Sequence, residues 1–190
     1  MAVKLRVDLN AVLDSVDEYL ESEAQQLVLV VTEDEQQLKE DSLFTFVDCM
    51  KIENMDSFVD ENNCKDCPGV YIFKLTENVQ IGTFNDTNYA SQIKEEFVLS
   101  KQDFDKNEIL YLGKSENDIA TRINQHIKNN TEKTYSLRLN DNDRKHLYGK
   151  LKVYIFVLKK EYKKYNKVIV AGVEGYLHKS LKPVVGSKRL

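Results

Sequence analysis

The chain has 190 residues, of which 42% are hydrophobic, with only 7 Gly and 2 Pro. This is the size and composition of one folded domain with room for a second small unit, and it excludes a large multidomain machine, a disordered chain and a collagen-like chain. The net charge of −4 conceals an asymmetry, because residues 1–65 carry 5 Lys and Arg against 16 Asp and Glu, whereas residues 120–190 carry 17 against 5. The basic C-terminal part favours an acidic partner, nucleic acid first, although charge alone fits a merely solvated lysine-rich surface equally well.

The cellular location is predicted from the cysteines and from the hydropathy of the chain. Three cysteines, Cys49, Cys64 and Cys67, are too few for a disulfide scaffold and are typical of a reducing compartment. The chain has no run of roughly 18 to 20 apolar residues, which a membrane-spanning helix needs, and residues 1–25 lack the layout of a signal peptide. We therefore expect a cytoplasmic protein with no membrane partner. Cys64 and Cys67 have the spacing of half a zinc site, but no second such pair follows, so zinc is not predicted.

The N-terminal part is predicted to be an acidic extension. Apolar residues at helical spacing predict a first helix of about 18 residues. The β-branched run 27–31 predicts a buried strand, and 42–49 predicts another. Because loop-forming Asn, Asp, Pro and Gly cluster at 62–69, we place a domain boundary at residue 65. Residues 1–65 are thus predicted to form an α/β extension of unknown role, whose acidic surface is either simply solvated or a mimic of DNA.

The part beyond the boundary is predicted to contain three strands and several helices. The strands are predicted at 70–73, 108–112 and 152–158, where β-branched and aromatic residues cluster. The helices are predicted at 89–99, 117–129, 141–148 and 168–181. Strands and helices without regular alternation indicate the α+β class, with a sheet packed against helices.

Residues able to do chemistry lie on or beside these elements. Arg122 and His126 are four residues apart on a predicted helix, so a cation and an imidazole stand one turn from each other on one face. Tyr71 and Tyr111 lie in strands that can pair, which would place the two phenols side by side. Glu174 is the only carboxylate of the last predicted helix, and the small residues around it would let another backbone or a phosphate approach closely.

The order of these residues carries a resemblance. In chain order the series is Gly69-Val70-Tyr71, Tyr111-Leu112-Gly113, Arg122, His126 and Glu174. It resembles the motif series of the GIY-YIG endonuclease family over about residues 66–186. The resemblance implies a nuclease domain at 66–190 with a central three-stranded antiparallel sheet flanked by helices. It also implies DNA as the partner, hydrolysis of phosphodiester bonds, and one divalent ion, Mg²⁺ or Mn²⁺, held by the glutamate.

The residue types suit that reaction, which builds negative charge on phosphate oxygens. Arg122 offers a fork that matches phosphate geometry, and Glu174 offers a hard oxygen ligand for Mg²⁺. Tyr71 resembles the tyrosine assigned as general base in the restriction-enzyme branch, with Tyr111 positioning the water or the phosphate. Lys114, Arg122 or the metal would lower the pKa of the Tyr71 phenol from about 10. His126 is the rival base, because its ordinary pKa of about 6.5 already suits the task, and the sequence does not choose between them.

Basic residues near the C-terminus are predicted to contact the DNA backbone, although the same pattern fits a soluble turn. They are Lys159, Lys160, Lys163, Lys164, Lys188 and Arg189. Residues 76–107 form an insertion relative to compact members of the family. It is either a recognition or dimer element or a surface elaboration without function.

Two hypotheses for the function follow. The first is a restriction-type endonuclease, favoured because the domain stands almost alone with an N-terminal addition, and a homodimer would suit the cutting of both strands. The second is a catalytically silent nucleic-acid-binding or regulatory protein that keeps the nuclease fold. It is suggested because the segment after Pro183 lacks the asparagine that many members carry there.

Overall fold

The structure, a computed structural model, describes residues 9–33, 37–51, 65–80, 103–106, 108–128, 137, 139–140, 147 and 149–184. The helices in these ranges are α1 (Leu9–Thr32), α2 (Ile119–Lys128) and α3 (Asn166–Leu181), with a 3-10 helix at Lys160–Tyr165 before α3. The strands are β1 (Phe44–Lys51), β2 (Gly69–Leu75), β3 (Val79–Gln80), β4 (Asp103–Phe104), β5 (Ile109–Ser115) and β6 (Leu151–Leu158).

Four of these strands form one antiparallel sheet in the order β1-β6-β2-β5. The predicted α+β class with an antiparallel sheet is confirmed, with one strand more than expected. The fourth strand is β1, which precedes the predicted boundary at residue 65 and pairs with β6. The division into two domains stays a prediction, but elements from both sides of that boundary share one sheet. β3 and β4 form a separate ribbon at the described ends of the insertion 76–107.

Strand alternation divides the core into two layers, one on each face of the sheet. Tyr71, Phe73 and Leu75 of β2 pack with α2 on one face, which we call the α2 face. Val70 and Ile72 pack with α1 and α3 on the other, which we call the α1–α3 face. Every residue of β2 is buried, because this central strand is covered on both sides.

The prediction of a strand at 27–31 is wrong, because this run forms the last turns of α1, which has 24 residues. Leu20, Ala24, Leu27 and Val31 recur every three or four residues and are all buried, so the run continues the apolar stripe of the helix. A β-branched run favours a strand only weakly when taken alone. Packing of the continued stripe against α3 and the sheet outweighs that preference.

Two buried polar side chains fasten α1 and the start of β1 to the rest of the fold. The Lys74 ammonium donates to the carbonyl oxygen of Val31 at 2.6 Å, near the C-terminal end of α1, where carbonyl groups lack helical partners. The Glu23 carboxylate accepts hydrogen bonds from Ser42 Oγ at 2.8 Å and from the Leu43 N–H at 2.9 Å. Both buried charges are therefore bonded to groups that hold neighbouring segments in place.

The strand predicted at 42–49 and the three strands and two longer helices predicted beyond residue 66 are confirmed, with ends that shift by up to three residues. Other predictions concern residues outside the described ranges. They are the helix at 89–99, most of the helix at 141–148, Cys64, Lys188 and Arg189. Among the described residues, no helix is long and apolar enough to cross a membrane.

Candidate active site

The register of two strands brings the two phenols together on the α2 face. Tyr71 of β2 lies opposite Gly113 of β5, and Phe73 lies opposite Tyr111. Tyr71 and Tyr111 are therefore diagonal neighbours, and their rings stack with centroids 6.2 Å apart. Because β5 is an edge strand, Tyr111 stays partly exposed at the rim of the sheet, whereas Tyr71 is fully buried.

Gly113 makes this arrangement possible because it has no side chain. A Cβ atom at this position would lie 2.5 Å from Tyr71 Oη and 2.8 Å from Tyr111 Cε1. Both distances are far shorter than van der Waals contact, so a larger residue would push the phenols apart. The glycine thus clears space for the Tyr71 ring.

His126 of α2 is hydrogen-bonded at both ring nitrogens. Its Nε2 lies 2.8 Å from Tyr71 Oη, and its Nδ1 accepts a hydrogen bond of 3.0 Å from the backbone N–H of Leu137. Burial, followed by the nearby Arg122 charge, holds the pKa of His126 well below 6.5, so the imidazole is neutral at neutral pH. A neutral imidazole carries one proton, and since Nδ1 is the acceptor, that proton lies on Nε2. Nε2–H therefore donates to Tyr71 Oη.

Arg122 is the cation of the site. Its guanidinium forms hydrogen bonds with the side chains of Tyr71 and Tyr111. Its Nη1 also donates to Gln125 Oε1 at 2.8 Å. Because Arg122 is partly exposed while Tyr71 and His126 are buried, the guanidinium presents a positive charge at the rim of a buried polar group.

Burial dominates the protonation of both phenols. Loss of water raises the pKa of Tyr71 well above 10 and also raises that of Tyr111, while Arg122 opposes both shifts through its charge and its hydrogen bonds. The hydrogen bond between the two hydroxyls raises the pKa of Tyr71 and lowers the pKa of Tyr111. Both phenols are neutral at neutral pH.

Glu174 approaches the same group from the opposite side of the sheet. It lies on α3, which packs on the α1–α3 face and also contacts the edge strand β5. Its side chain is only 3% exposed, and its charge raises the pKa of Tyr111. The pKa of Tyr111 is therefore affected by two charges, the guanidinium of Arg122 on α2 and the carboxylate of Glu174 on α3.

The two glycines beside Glu174 differ in what surrounds them. A Cβ atom at Gly172 would lie 2.7 Å from Leu20 Cδ1, so this glycine allows α3 to approach α1 closely. At Gly175 a Cβ atom would meet nothing within 4 Å. The small residues were expected to admit either another part of the backbone or a phosphate. At Gly172 the space is taken by α1, through the side chain of Leu20.

Lys114 lies apart from the phenols. It follows Gly113 on β5 and pairs with Val70, so strand alternation places it on the α1–α3 face. Its ammonium lies 2.7 Å from Glu116 Oε1, and this hydrogen bond and charge lower the pKa of Glu116. The expected lowering of the pKa of Tyr71 by a cation is not found, because burial raises that pKa. Arg122, and not Lys114, is the cation that opposes the rise.

The four described lysines of the predicted DNA-contacting set divide into two pairs. Lys159 and Lys163 each donate from Nζ to a backbone carbonyl oxygen of a neighbouring loop, at 2.8 and 3.0 Å respectively. These bonds fasten the 3-10 helix to the body of the protein. Lys160 and Lys164 are exposed on the same short helix, so they are the pair placed to meet an external phosphate.

Two contacts of the site were missed at the sequence level. Leu137 lies eleven residues beyond His126, and no local pattern predicts that its N–H selects the tautomer of the ring. Gln125, by contrast, lies three residues after Arg122 on one helix. That spacing predicts a side-chain contact and was a usable signal.

The α+β fold gathers two phenols, an imidazole, a guanidinium and a carboxylate near one edge of its antiparallel sheet. Residues 97–187 match the family model of the GIY-YIG catalytic domain. No curated protein and no solved structure matches the chain.

The matched region is slightly less than half of the chain. It contains β5, α2, β6 and α3, and with them every described candidate residue except Tyr71. Tyr71 lies on β2, which precedes the matched region but pairs with β5 and β6 inside it. The structure of this single chain, within its described residues, lends no support to the homodimer that was expected.

Proposed function

We propose that the protein is a divalent-metal-dependent DNA endonuclease of the restriction type. The observation that supports it most strongly is the hydrogen-bonded group of Tyr71, Tyr111, Arg122 and His126, with Glu174 acting on Tyr111 from the other side. Four of these five side chains lie in the region that matches the GIY-YIG catalytic domain. The restriction-type assignment rests on the N-terminal addition, whose strand β1 extends the sheet of this region.

In this proposal Arg122 binds the scissile phosphate. Its guanidinium is partly exposed and already held by Tyr71, Tyr111 and Gln125, so little of its freedom remains to be lost when a phosphate binds. A fork of N–H donors at this position stabilises the negative charge that grows on the non-bridging oxygens.

The phenol pair is assigned as the general base in the state in which it has released one proton to solvent, so that the phenolate can take a proton from the attacking water. His126 is assigned as the residue that positions the pair. His126 has no lone pair to offer, because Nδ1 accepts from Leu137 and Nε2 carries the proton. Its Nε2–H and the Arg122 guanidinium are instead the two donors that would stabilise a phenolate on Tyr71. Tyr111 is the partly exposed member of the pair, so it connects the buried Tyr71 hydroxyl with the attacking water.

Glu174 suits a hard divalent ion. A buried carboxylate in this position supplies oxygen, the ligand type that Mg²⁺ and Mn²⁺ prefer, beside the phenol that also feels Arg122. No group of three or more His, Cys, Asp or Glu side chains gathers among the described residues, so Glu174 would act as the single protein ligand, with water and phosphate oxygens completing the shell. When bound, the ion would supply charge stabilisation at the leaving oxygen.

The test is plasmid cleavage in Mg²⁺, in Mn²⁺ and in a chelator. We expect discrete fragments with either ion, none with the chelator, and none from Glu174→Gln, which keeps the shape of the side chain but removes its charge. Glu161→Gln, on the exposed 3-10 helix, is the matched control and should cut like the wild type.

Three other outcomes contradict parts of the proposal. A smear in place of discrete fragments would rule out the restriction type. Full cleavage by Glu174→Gln would remove that residue from the site. A wild-type protein that binds DNA but cuts no plasmid, branched or single-stranded substrate with either ion would instead be the catalytically silent nucleic-acid-binding protein.

A further inference from the structure

An exposed aromatic and apolar pair lies where the 3-10 helix joins α3. Tyr165 is 53% exposed and Val168 is 63% exposed, so both are among the most exposed large hydrophobic residues described. They are three residues apart across the start of a helix, which places them close together on the surface. A single exposed apolar residue is ordinary, but an aromatic ring with an apolar neighbour forms a flat surface that a ligand can cover.

Positive charge surrounds this pair. Lys160, Lys164 and Lys167 are exposed in the segment 160–168, which contains the pair. Lys164 Nζ lies 4.7 Å from the centroid of the Tyr165 ring. The segment contains one acidic residue, Glu161, so its net charge stays positive. A ring held beside an ammonium is a combination typical of proteins that bind single-stranded nucleic acid, where bases stack on rings and lysines contact phosphates.

The segment is also held in place. Lys159 and Lys163 donate to the carbonyl oxygens of Glu40 and Asp66, on two different loops. Because these two bonds fix the 3-10 helix at its start and at its middle, the ring of Tyr165 is presented on a supported element and not on a loose turn. Less conformational entropy is then lost when a ligand binds.

The segment leads directly into the helix that carries Glu174. Tyr165 precedes α3, and Glu174 lies nine residues later, a rise of about 14 Å along a helix. One strand of DNA advances by about 3.4 Å per nucleotide, so that separation corresponds to roughly four nucleotides. Along the helix axis, the Tyr165 surface and Glu174 are therefore separated by a length that a few nucleotides of one strand span.

We propose that Tyr165 and Val168, with Lys160, Lys164 and Lys167, form a stacking surface for an unpaired base of the substrate. The proposal rests on the proposed nuclease function but not on its restriction type, which would act on fully paired DNA. It names as substrate class DNA that is single-stranded or locally opened a few nucleotides from the cleavage point. The charge of the surrounding residues favours nucleic acid over an apolar protein partner.

Binding without catalysis tests this directly. We would measure the affinity of Glu174→Gln for labelled single-stranded, bubble-containing and fully paired DNA of one length, by fluorescence anisotropy in a chelator. The expected result is tighter binding to the single-stranded and bubble DNA. Adding Tyr165→Ala should weaken binding to these two by roughly 5- to 100-fold while leaving paired DNA nearly unchanged. Tyr165→Phe, which keeps the ring, should behave like the parent.

A second readout separates stacking from charge. A fluorescent base analogue in the bubble should be quenched by the parent and by Tyr165→Phe but not by Tyr165→Ala. Lys160→Ala and Lys164→Ala should weaken binding to every DNA alike and lower the slope of log affinity against log salt by about one each. Thermal unfolding of each variant checks that it is folded.

The outcomes distinguish this proposal from the nuclease proposal. If Tyr165→Ala binds bubble DNA like its parent, or if the protein prefers paired DNA, the stacking surface is overturned whatever the cleavage assay shows, and a protein partner becomes the better occupant. If the wild type cuts nothing but the Tyr165-dependent preference is measured, the nuclease proposal fails alone.

Discussion

The two faces of the sheet each bury polar side chains, but they pair them differently. On the α2 face, the Tyr71 hydroxyl is bonded to His126, Arg122 and Tyr111, so titratable side chains bond to one another. On the α1–α3 face, the Lys74 ammonium is bonded to a backbone carbonyl. The Glu23 carboxylate on that side accepts from a backbone N–H and a serine hydroxyl.

The two faces therefore differ in the choice of partner and not in burial, since both bury their polar groups. A backbone group does not titrate, so a side chain bonded to it has one stable arrangement and serves to hold segments together. Side chains that can each gain or lose a proton have several arrangements close in free energy. The bonded side chains of the α2 face are therefore the ones to which the proposal assigns proton transfer.

The largest effect is expected from removing the buried hydroxyl on the α2 face. Tyr71→Phe should lower kcat for DNA cleavage by about 10²- to 10⁴-fold, since it removes the proposed base. Tyr154→Phe, on the adjacent strand but on the α1–α3 face, is the matched control and should keep its activity. Equal kcat values for Tyr71→Phe and the wild type would end the functional distinction between the faces.

The next largest effect is expected from filling the space that Gly113 leaves for the Tyr71 ring. Gly113→Ala should lower kcat by about 10²-fold, because its Cβ would displace the Tyr71 ring and a displacement of about 1 Å is enough for such a loss. Gly175→Ala, where a Cβ meets nothing within 4 Å, should cut normally. Normal kcat in Gly113→Ala would show that the ring position does not matter to the reaction.

A moderate effect on stability alone is expected on the α1–α3 face. Lys74→Met should lower the free energy of unfolding by about 1–3 kcal/mol, because it leaves the buried end of α1 without its donor. Urea unfolding measures this loss, and kcat per folded molecule should stay unchanged. A fall in kcat without a loss of stability would place Lys74 in the reactive group.

The smallest effect is a pH dependence that only the α2 face should produce. His126 has a folded pKa well below 6.5, so below about pH 6.5 the unfolded chain gains a proton there that the folded protein does not. The free energy of unfolding therefore falls as the pH falls, and it should drop by about 1 kcal/mol more for the wild type than for His126→Gln between about pH 7.5 and pH 5.5. Identical drops would mean that the ring is protonated in the folded protein.

Much of the fold was predictable because its signals are local. The strands at β2, β5 and β6 and the stripes of α2 and α3 follow from periods of two and of about 3.6 residues, which a short window of sequence contains. The strand prediction for 27–31 was wrong for a related reason. A short apolar β-branched run fits a strand or a buried helix equally well, and the deciding evidence was the stripe that begins earlier at Leu20.

The sequence by itself determined which side chains are available to the site, since their order along the chain suggested Tyr71, Tyr111, Arg122, His126 and Glu174 together. Only the tertiary structure decided which groups each one contacts. The N–H of Leu137 sets the tautomer of His126, strand register and Gly113 admit the Tyr71 ring, and of the two cations expected beside Tyr71 it is Arg122 that acts on it. Such contacts join residues far apart in the chain, and their protonation depends on burial, which no local spacing encodes.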